Sequence, residues 1–370
     1  MKKNTSFVLG LESSCDDTAA SVLCYDGSGN LGNVEILSSI VLNQHNLHQD
    51  FRGIVPEIAA RAHNERLDSC TQKAIKEAKI NVEDIRLISV TSGPGLIGGL
   101  LSGIMFAKGL SHGLICPLVG VNHLAAHCLS VKMIHSLEFP YLTLLVSGGH
   151  CQFLIVEDFD KFLRLGGTID DAPGECFDKI AASLGLGYPG GPEIEKYSSK
   201  GNKDRFPFPK PMLERKDCNM SFSGLKTAVK RKIDELLKNQ GGLYKEDIND
   251  ICASFQNSVI EIFKKKSHYA MIVFQRYYGI SNNNYALVGG VAANKAISRS
   301  LEETTSNNKF QFFSVPQKFC TDNAAMIGYL GAQRFFADNY KKEDLVAKPR
   351  WPLDIRAKPM LGFGKRGVKA

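Results

Sequence analysis

The chain has 370 residues, with 45 Lys and Arg against 38 Asp and Glu for a net charge of +7, which is long enough for two lobes with a sizeable core. No apolar run approaches the ~18 residues of a membrane helix, and no secretory signal precedes the ten cysteines, which include no C-x-x-C pair. A membrane span and a disulfide framework are therefore disfavoured, and the thiols read as reduced and cytosolic.

In chain order, residues 7–11 form an apolar strand, residues 12–17 a polar turn with Glu12, Asp16 and Asp17, and residues 18–23 a second strand. Residues 87–90 run as a strand into a Gly-rich loop and an apolar helix through Lys108. The strand-turn-strand pattern returns at residues 141–146, 147–150 and 151–156, which predicts a duplicated lobe of the α/β kind. Leu225, Val229, Ile233 and Leu236 line one side of a predicted helix that carries Lys226, Lys230 and Arg231 outside. Gly241 and Gly242 separate it from a core-facing helix with Ile248, Ile251, Phe255, Val259, Ile262 and Phe263 on one face. Residues 285–288, Gly289-Gly290 and a helix from Val291 repeat the strand-loop-helix grammar, and the stretch after Pro349 reads as loosely ordered.

His123 and His127 stand one helical turn apart, so both imidazoles share a face, and Asp322 is a third candidate ligand far along the chain. Two His and one carboxylate leave coordination positions open, which suits catalysis better than a structural role. His45, His48, His63 and His150 are further candidates, each more simply read as a hydrogen-bonded loop residue. The pairs Gly148-Gly149, Gly190-Gly191 and Gly289-Gly290 are predicted to follow strands, where successive backbone N–H groups can cradle phosphate. Neither G-x-x-x-x-G-K-[ST] nor G-x-G-x-x-G is present, so any nucleotide is held differently. Asp178 reads as lying near a helix start ahead of the Tyr188-Pro-Gly-Gly-Pro loop. From 196 to 238 there are 12 Lys and Arg against 5 Asp and Glu, and from 341 to 370 there are 9 against 3. Such segregation predicts two basic surfaces suited to a polyanion such as RNA.

Taken together the motifs are far more specific. Leu11-Glu-Ser-Ser-Cys-Asp-Asp-Thr, Gly53-Ile-Val-Pro-Glu-Ile-Ala-Ala-Arg-Ala-His, Asn122-His-Leu-Ala-Ala-His, Leu144-Leu-Val-Ser-Gly-Gly-His, Ile169-Asp-Asp-Ala-Pro-Gly-Glu-Cys-Phe-Asp-Lys, Ser221-Phe-Ser-Gly-Leu-Lys-Thr, Gly289-Gly-Val-Ala-Ala-Asn and Cys320-Thr-Asp-Asn occur in the order and spacing of one family. From about Phe7 to about Trp351 the chain resembles the tRNA N6-adenosine threonylcarbamoyltransferases of the TsaD (Gcp/Qri7) type. That resemblance implies a two-lobed actin-like fold of the sugar kinase and Hsp70 type, divided as 1–138, 139–345 with a helical insertion, and a basic tail at 346–370. It implies transfer of threonylcarbamoyl from threonylcarbamoyl-AMP to N6 of adenosine 37 in tRNAs reading codons that begin with A. By the same resemblance His123, His127 and Asp322 hold a divalent metal, iron before zinc, while Leu145, Val146, Ser147, Gly148, Gly149, Asp178, Gly191 and Asn294 bind the adenylate and Asp16 assists the chemistry. The basic stretch, Lys226, Lys230 and Arg231 above all, is the candidate tRNA surface.

Arg52 and Cys151 depart from the family pattern away from these positions, and Leu145 stands where archaeal and eukaryotic cytosolic relatives carry tyrosine, which implies the bacterial or mitochondrial branch. The implied partners are a TsaB-type paralogue and a TsaE-type ATPase in a bacterial cytoplasm, or a second copy of the chain in a mitochondrial matrix, with no membrane. Three rivals compete: a catalytically silent scaffold, a metalloprotease and a small-molecule kinase. A scaffold paralogue would lack the metal residues and Asn294. The H-x-x-x-H pair lacks the Glu of H-E-x-x-H, and the loops lack the Asp-x-Gly-Thr phosphate signature of the kinases.

Overall fold

The computed structural model describes residues 5–26, 34–51, 53–280, 282–337, 344–358, 360–361 and 368–369. Arg52 and, in the basic tail, residues 359, 362–367 and 370 lie outside these residues. The first sheet is built by β1 (Thr5–Glu12), β2 (Thr18–Asp26) and β3 (Val34–Leu42), then, after the short α1 (His45–His48) and α2 (Pro56–Ala78), by β4 (Ile85–Gly93), α3 (Ile97–Leu114) and β5 (Leu118–Asn122). Its order is β3-β2-β1-β4-β5, antiparallel across the two hairpin contacts and parallel across β1, β4 and β5.

After α4 (His123–Leu129) the chain repeats the plan. A second sheet takes β6 (Tyr141–Val146), β7 (Cys151–Asp158) and β8 (Lys161–Gly167), followed by α5 (Pro173–Ser183), α6 (Gly190–Ser198), α7 (Ser223–Gln240), α8 (Lys245–Tyr278), β9 (Asn284–Val288), α9 (Lys295–Asn307) and β10 (Gln311–Ser314). Its order, β10-β9-β6-β7-β8, is that of the first sheet with β6 in the place of β1 and β9 in the place of β4. The duplication read from the two strand-turn-strand units is thus a duplication of whole sheets.

β1 shows why its residues are apolar on both faces. Leu9 and Leu11 point into a core shared with Ile88, Cys70 and Ile104 under α2 and α3, whereas Val8 joins Leu23 and Leu87 in a core continuous with the second sheet. That second face is covered by α10 (Ala324–Phe335), which returns from the far end of the chain to lie on β1, β2 and β4. The approach is close enough to exclude side chains. A Cβ on Gly10 would fall 2.1 Å from the Ala324 carbonyl oxygen and 2.8 Å from the Gly328 nitrogen. Ser89 Oγ donates to the Ile327 carbonyl at 2.7 Å and fixes the helix along the sheet.

α7 and α8 follow the apolar periodicity read from the sequence, with Leu225, Val229 and Ile233 buried on one and Ile251, Phe255, Val259, Ile262 and Phe263 on the other. Gly241 closes α7 with φ near 73°, a conformation glycine reaches without steric cost. Two readings need correction. The helix expected from Val291 is split into a 3₁₀ turn, Gly290–Ala293, and α9, because Asn294 takes extended geometry and caps α9 with its side chain. The stretch after Pro349, expected to be loose, is fastened to both lobes over its described part. Asn122 Nδ2 donates to Trp351 O at 2.9 Å and Arg164 N, on β8, to Asp354 Oδ2 at 3.0 Å. Finally, β11 (Met360–Leu361) pairs with β12 (Val368–Lys369). Among the described residues no helix is long and apolar enough to cross a membrane.

Candidate active site and metal centre

Asn122, the last residue of β5, accepts from Leu124 N at 2.9 Å and Ala125 N at 3.1 Å, and so starts α4 with His123 as its first residue. One turn later His127 follows, its ring 4.7 Å from that of His123 and edge-on to it. Asn323 caps α10 by accepting from Met326 N at 3.1 Å, which sets Asp322 just outside the helix. Asp322 Oδ1 then lies 3.4 Å from His123 Nε2 and 3.0 Å from His127 Nε2, and a donor atom from each of the three residues lies within 4.8 Å of the others.

Donors bound to one tetrahedral ion by bonds of about 2.1 Å stand about 3.4 Å apart, so these spacings suit a divalent metal held by two Nε2 atoms and one carboxylate. The other side of His123 supports that fit. Its Nδ1 lies 2.8 Å from Glu12 Oε2, and Glu12, fully buried at the end of β1, also accepts from Thr91 Oγ1 and from Ser14 N, each at 2.6 Å. A carboxylate on the far nitrogen fixes the ring and leaves Nε2 as the ligand atom. His127 Nδ1 is buried with no hydrogen-bond partner among the described residues.

Burial opposes charge at His123, but Glu12 and Asp322 facing it outweigh that penalty and raise its affinity for a proton well above the usual imidazole range. Burial likewise opposes ionisation of Asp322, and the two imidazoles overcome it, so its carboxyl is held far below the ordinary value. Asp17 lacks such partners. Burial, then Asp322, Asp16 and Glu12, push it up to about 8. So much negative charge in one buried pocket favours an occupant of positive charge.

Of the glycine loops, the one at Gly289-Gly290 adjoins this centre. Gly289, at φ 94°, sits where a Cβ would strike the Val146 carbonyl oxygen at 2.5 Å, and Gly290 lies beside Thr321, next to Asp322. The Ser147–His150 turn between β6 and β7 receives Glu175 N on the Gly148 carbonyl at 3.2 Å. Asp178 Oδ1 accepts from Gly190 N at 2.8 Å. Above Gly148, Gly149 and Gly191 an added Cβ would meet nothing within 4 Å, so these backbone positions face open space. Gly190-Gly191 does not follow a strand as expected. It opens α6 after the loop that leaves α5, because the chain here runs helix to helix.

Leu145 and Val146 are wholly buried in β6, so only their backbone can face a ligand. Asp178 lies in the middle of α5, not at its start, and burial together with Asp16 and Glu175 outweighs the Gly190 N–H to raise it to about 6. Asp16 stands in the β1–β2 turn, where burial and then Asp322 raise its pKa. Asn294 is buried, its Oδ1 accepting from Ile297 N at 3.0 Å and its Nδ2 donating to Gln256 Oε1 at 2.7 Å.

The other histidines do not join the metal cluster among the described residues. His63 instead braces the acidic turn, with Nδ1 2.8 Å from Thr18 Oγ1 and Nε2 3.1 Å from Cys15 O; His48 bonds Gln44, and His45 meets the Tyr188 ring edge-on at 5.5 Å. Sequence reading missed Glu12 as the partner of His123 and missed Gln256 altogether. Neither has a local signal, since their partners lie 111 and 38 residues away.

Two duplicated five-stranded sheets of this topology define a two-lobed actin-like protein. Solved HypF structures share the fold: that from T. kodakarensis gives a TM-score of 0.57 at 16% identity over 90% of this chain, and a full-length nucleotide-bound HypF gives 0.55 at 15% over 92%. The present chain spans only about half of those chains, 48% of each, and the likeness concerns the fold alone. Sequence comparison then gives the family. The profile described as TsaD, tRNA N6-adenosine threonylcarbamoyltransferase, matches residues 35–329. Proteins of that name from Cereibacter sphaeroides and Paracoccus denitrificans are 52% and 51% identical over 362 residues, 98% of either chain. This chain belongs to the tRNA N6-adenosine threonylcarbamoyltransferase family.

Proposed function

We propose that this chain transfers the threonylcarbamoyl group of threonylcarbamoyl-AMP to N6 of adenosine 37 in tRNAs reading codons that begin with A. The observation that carries the reading is full-length identity of about half with transferases of that name, in a chain whose His123, His127 and Asp322 converge beside its glycine loops. An exocyclic adenine amine is a poor nucleophile, so the site must hold an activated carbamoyl group close to it and take up the N6 proton as the N6–carbon bond forms and the carbamoyl–phosphate bond breaks, AMP leaving with that bond's electron pair. The open backbone at Gly148, Gly149 and Gly191 receives the adenylate, and Asp178 accepts from its ribose hydroxyls. Asp16, its basicity raised by burial and by Asp322, accepts the N6 proton. His123, His127 and Asp322 would hold a divalent ion, iron before zinc, whose Lewis acidity would polarise the carbamoyl carbonyl. A peptidase reading is disfavoured because the H-x-x-x-H pair lacks the Glu of H-E-x-x-H.

The same reading takes a TsaB-type paralogue and a TsaE-type ATPase as partners and a bacterial cytoplasm as the setting, in keeping with the bacterial relatives. It is tested by incubating unmodified tRNA with the protein, these partners, ATP and threonylcarbamoyl-AMP, and measuring threonylcarbamoyladenosine by mass spectrometry of the nucleosides. Absence of that nucleoside, when a known relative produces it in the same mixture, refutes the reading.

Two further outcomes follow. Asp178 should be ionised above about pH 6 and lose that charge as pH falls, so affinity for adenosine, which has no group titrating there, should drop on acidification through pH 6 in the wild type and stay level in Asp178→Asn. Identical titration curves for the two proteins would remove Asp178 from the site. On α7, Lys226 is paired with Asp171, whereas Lys230 and Arg231 are exposed. The Lys230→Glu/Arg231→Glu double variant should weaken tRNA binding at least about tenfold at low salt and reduce the salt slope by about 2. A slope equal to that of the wild type would place the tRNA elsewhere.

A further inference from the structure

Behind the adenylate loops runs a buried relay of side chains that joins three helices. Ser198, the last residue of α6, donates its hydroxyl to the Glu195 carbonyl at 2.8 Å. Gln256, in the middle of α8, donates Nε2 to Ser198 Oγ at 2.9 Å and accepts on Oε1 from Asn294 Nδ2 at 2.7 Å. Asn294 in turn accepts on Oδ1 from Ile297 N at 3.0 Å as the cap of α9. All three side chains are at least nine-tenths buried.

The polarity of this relay is fixed at both ends. The hydroxyl hydrogen of Ser198 is committed to a backbone carbonyl, so Ser198 can only accept from Gln256. Ile297 N can only donate, so Asn294 must turn its oxygen toward α9 and its amino group toward Gln256. A flip of either amide would set two donors or two acceptors against each other in a buried site. With Oδ1 and one Nδ2 hydrogen so used, Asn294 keeps one amide hydrogen for which no described residue is an acceptor.

We propose that Gln256 is a positioning residue for the adenylate: by fixing which way the Asn294 amide faces, and by tying the end of the helix opened by Gly190-Gly191 to the Gly289–Asn294 loop, it holds two ligand loops at one spacing. This rests on the adenylate reading above. Gln256 makes no contact with the ligand in this proposal and works through Asn294 alone. Its loss therefore weakens binding of the nucleotide part and leaves tRNA binding untouched.

The test measures AMP binding by calorimetry and the KM values for threonylcarbamoyl-AMP and tRNA, with wild type, Gln256→Met, Gln256→Glu, Asn294→Ala and the Gln256→Met/Asn294→Ala double variant. Gln256→Met should weaken AMP binding and raise the adenylate KM by about tenfold, with kcat and the tRNA KM within about twofold of wild type. Gln256→Glu keeps an acceptor for Asn294 but sets a carboxylate oxygen against Ser198 Oγ, so it should bind AMP no better than Gln256→Met. The double variant should bind AMP no more weakly than Asn294→Ala, because one path serves both residues. Wild-type affinity in Gln256→Met, or additive losses in the double variant, overturns the proposal while the transferase reading stands. A wild-type protein that neither binds AMP nor modifies tRNA overturns the reading, and the proposal with it.

Discussion

Replacing His123 with alanine should leave a protein almost free of metal that forms threonylcarbamoyladenosine about a thousandfold more slowly than wild type, a loss of about 4 kcal/mol in transition-state stabilisation. The residue holds the centre together from two sides, with Asp322 at Nε2 and Glu12 at Nδ1. Its removal also strands Glu12, a fully buried carboxylate, without its cationic neighbour. Two milder variants therefore separate loss of the metal from loss of the fold. Asp322→Asn keeps the shape of the third ligand and should abolish activity in a protein whose melting temperature is near that of wild type. Glu12→Gln keeps all three ligands but weakens the grip on the His123 ring, and should lower metal affinity by about 10- to 100-fold, with activity restored by excess metal. Metal content by elemental analysis is the decisive readout. Wild-type metal content in His123→Ala would dissolve the assignment of the centre.

The largest stability effect is expected far from any ligand, at Gly10. The Gly10→Val variant places side-chain atoms where the Ala324 carbonyl and the Gly328 nitrogen lie, within about 3 Å, and α10 cannot stay on the sheet. Overpacking of this kind should cost about 3 kcal/mol, seen as a lower midpoint in denaturant unfolding. Because Asp322, the proposed third ligand, sits just ahead of α10, the displaced helix carries it away from the two histidines, and metal content should fall in the fraction that still folds. An unfolding midpoint equal to that of wild type would show that the helix accommodates the side chain. Gly10→Ala should show a smaller effect in the same direction.

Much of this architecture was legible because it rests on local patterns. The two strand-turn-strand units announced themselves by apolar runs broken at Glu12–Asp17 and Ser147–His150, and the amphipathic periods of α7 and α8 carried over unchanged. His123 and His127 were visible as a pair because one helical turn separates them. Other features depend on contacts that no local pattern encodes. Glu12 reaches His123 only once β1 and β5 enter the same sheet on either side of β4. The break at Asn294 was missed because Val291-Ala-Ala-Asn-Lys-Ala reads as continuous helix, while the Asn side chain competes for the Ile297 amide and starts the helix afresh. Lys226 looked like one of three equivalent cations until the loop bearing Asp171 was brought against α7. The segment after Pro349 looked loose because its anchors are mostly backbone groups, which leave no trace in side-chain composition.

The return of α10 to β1 has a consequence for the order in which the molecule comes into being. β1 to β5 leave the ribosome first, yet one face of their sheet waits for a helix more than 200 residues later in the chain. At a synthesis rate of about 5–20 residues per second, that interval lasts roughly 10–50 seconds. During it Val8, Leu23 and Leu87 lack their cover, and His123 and His127 have no Asp322 to meet. The nascent first lobe is therefore a half-covered sheet bearing two members of the His123–His127–Asp322 cluster, and that cluster can assemble only once residue 322 has been made.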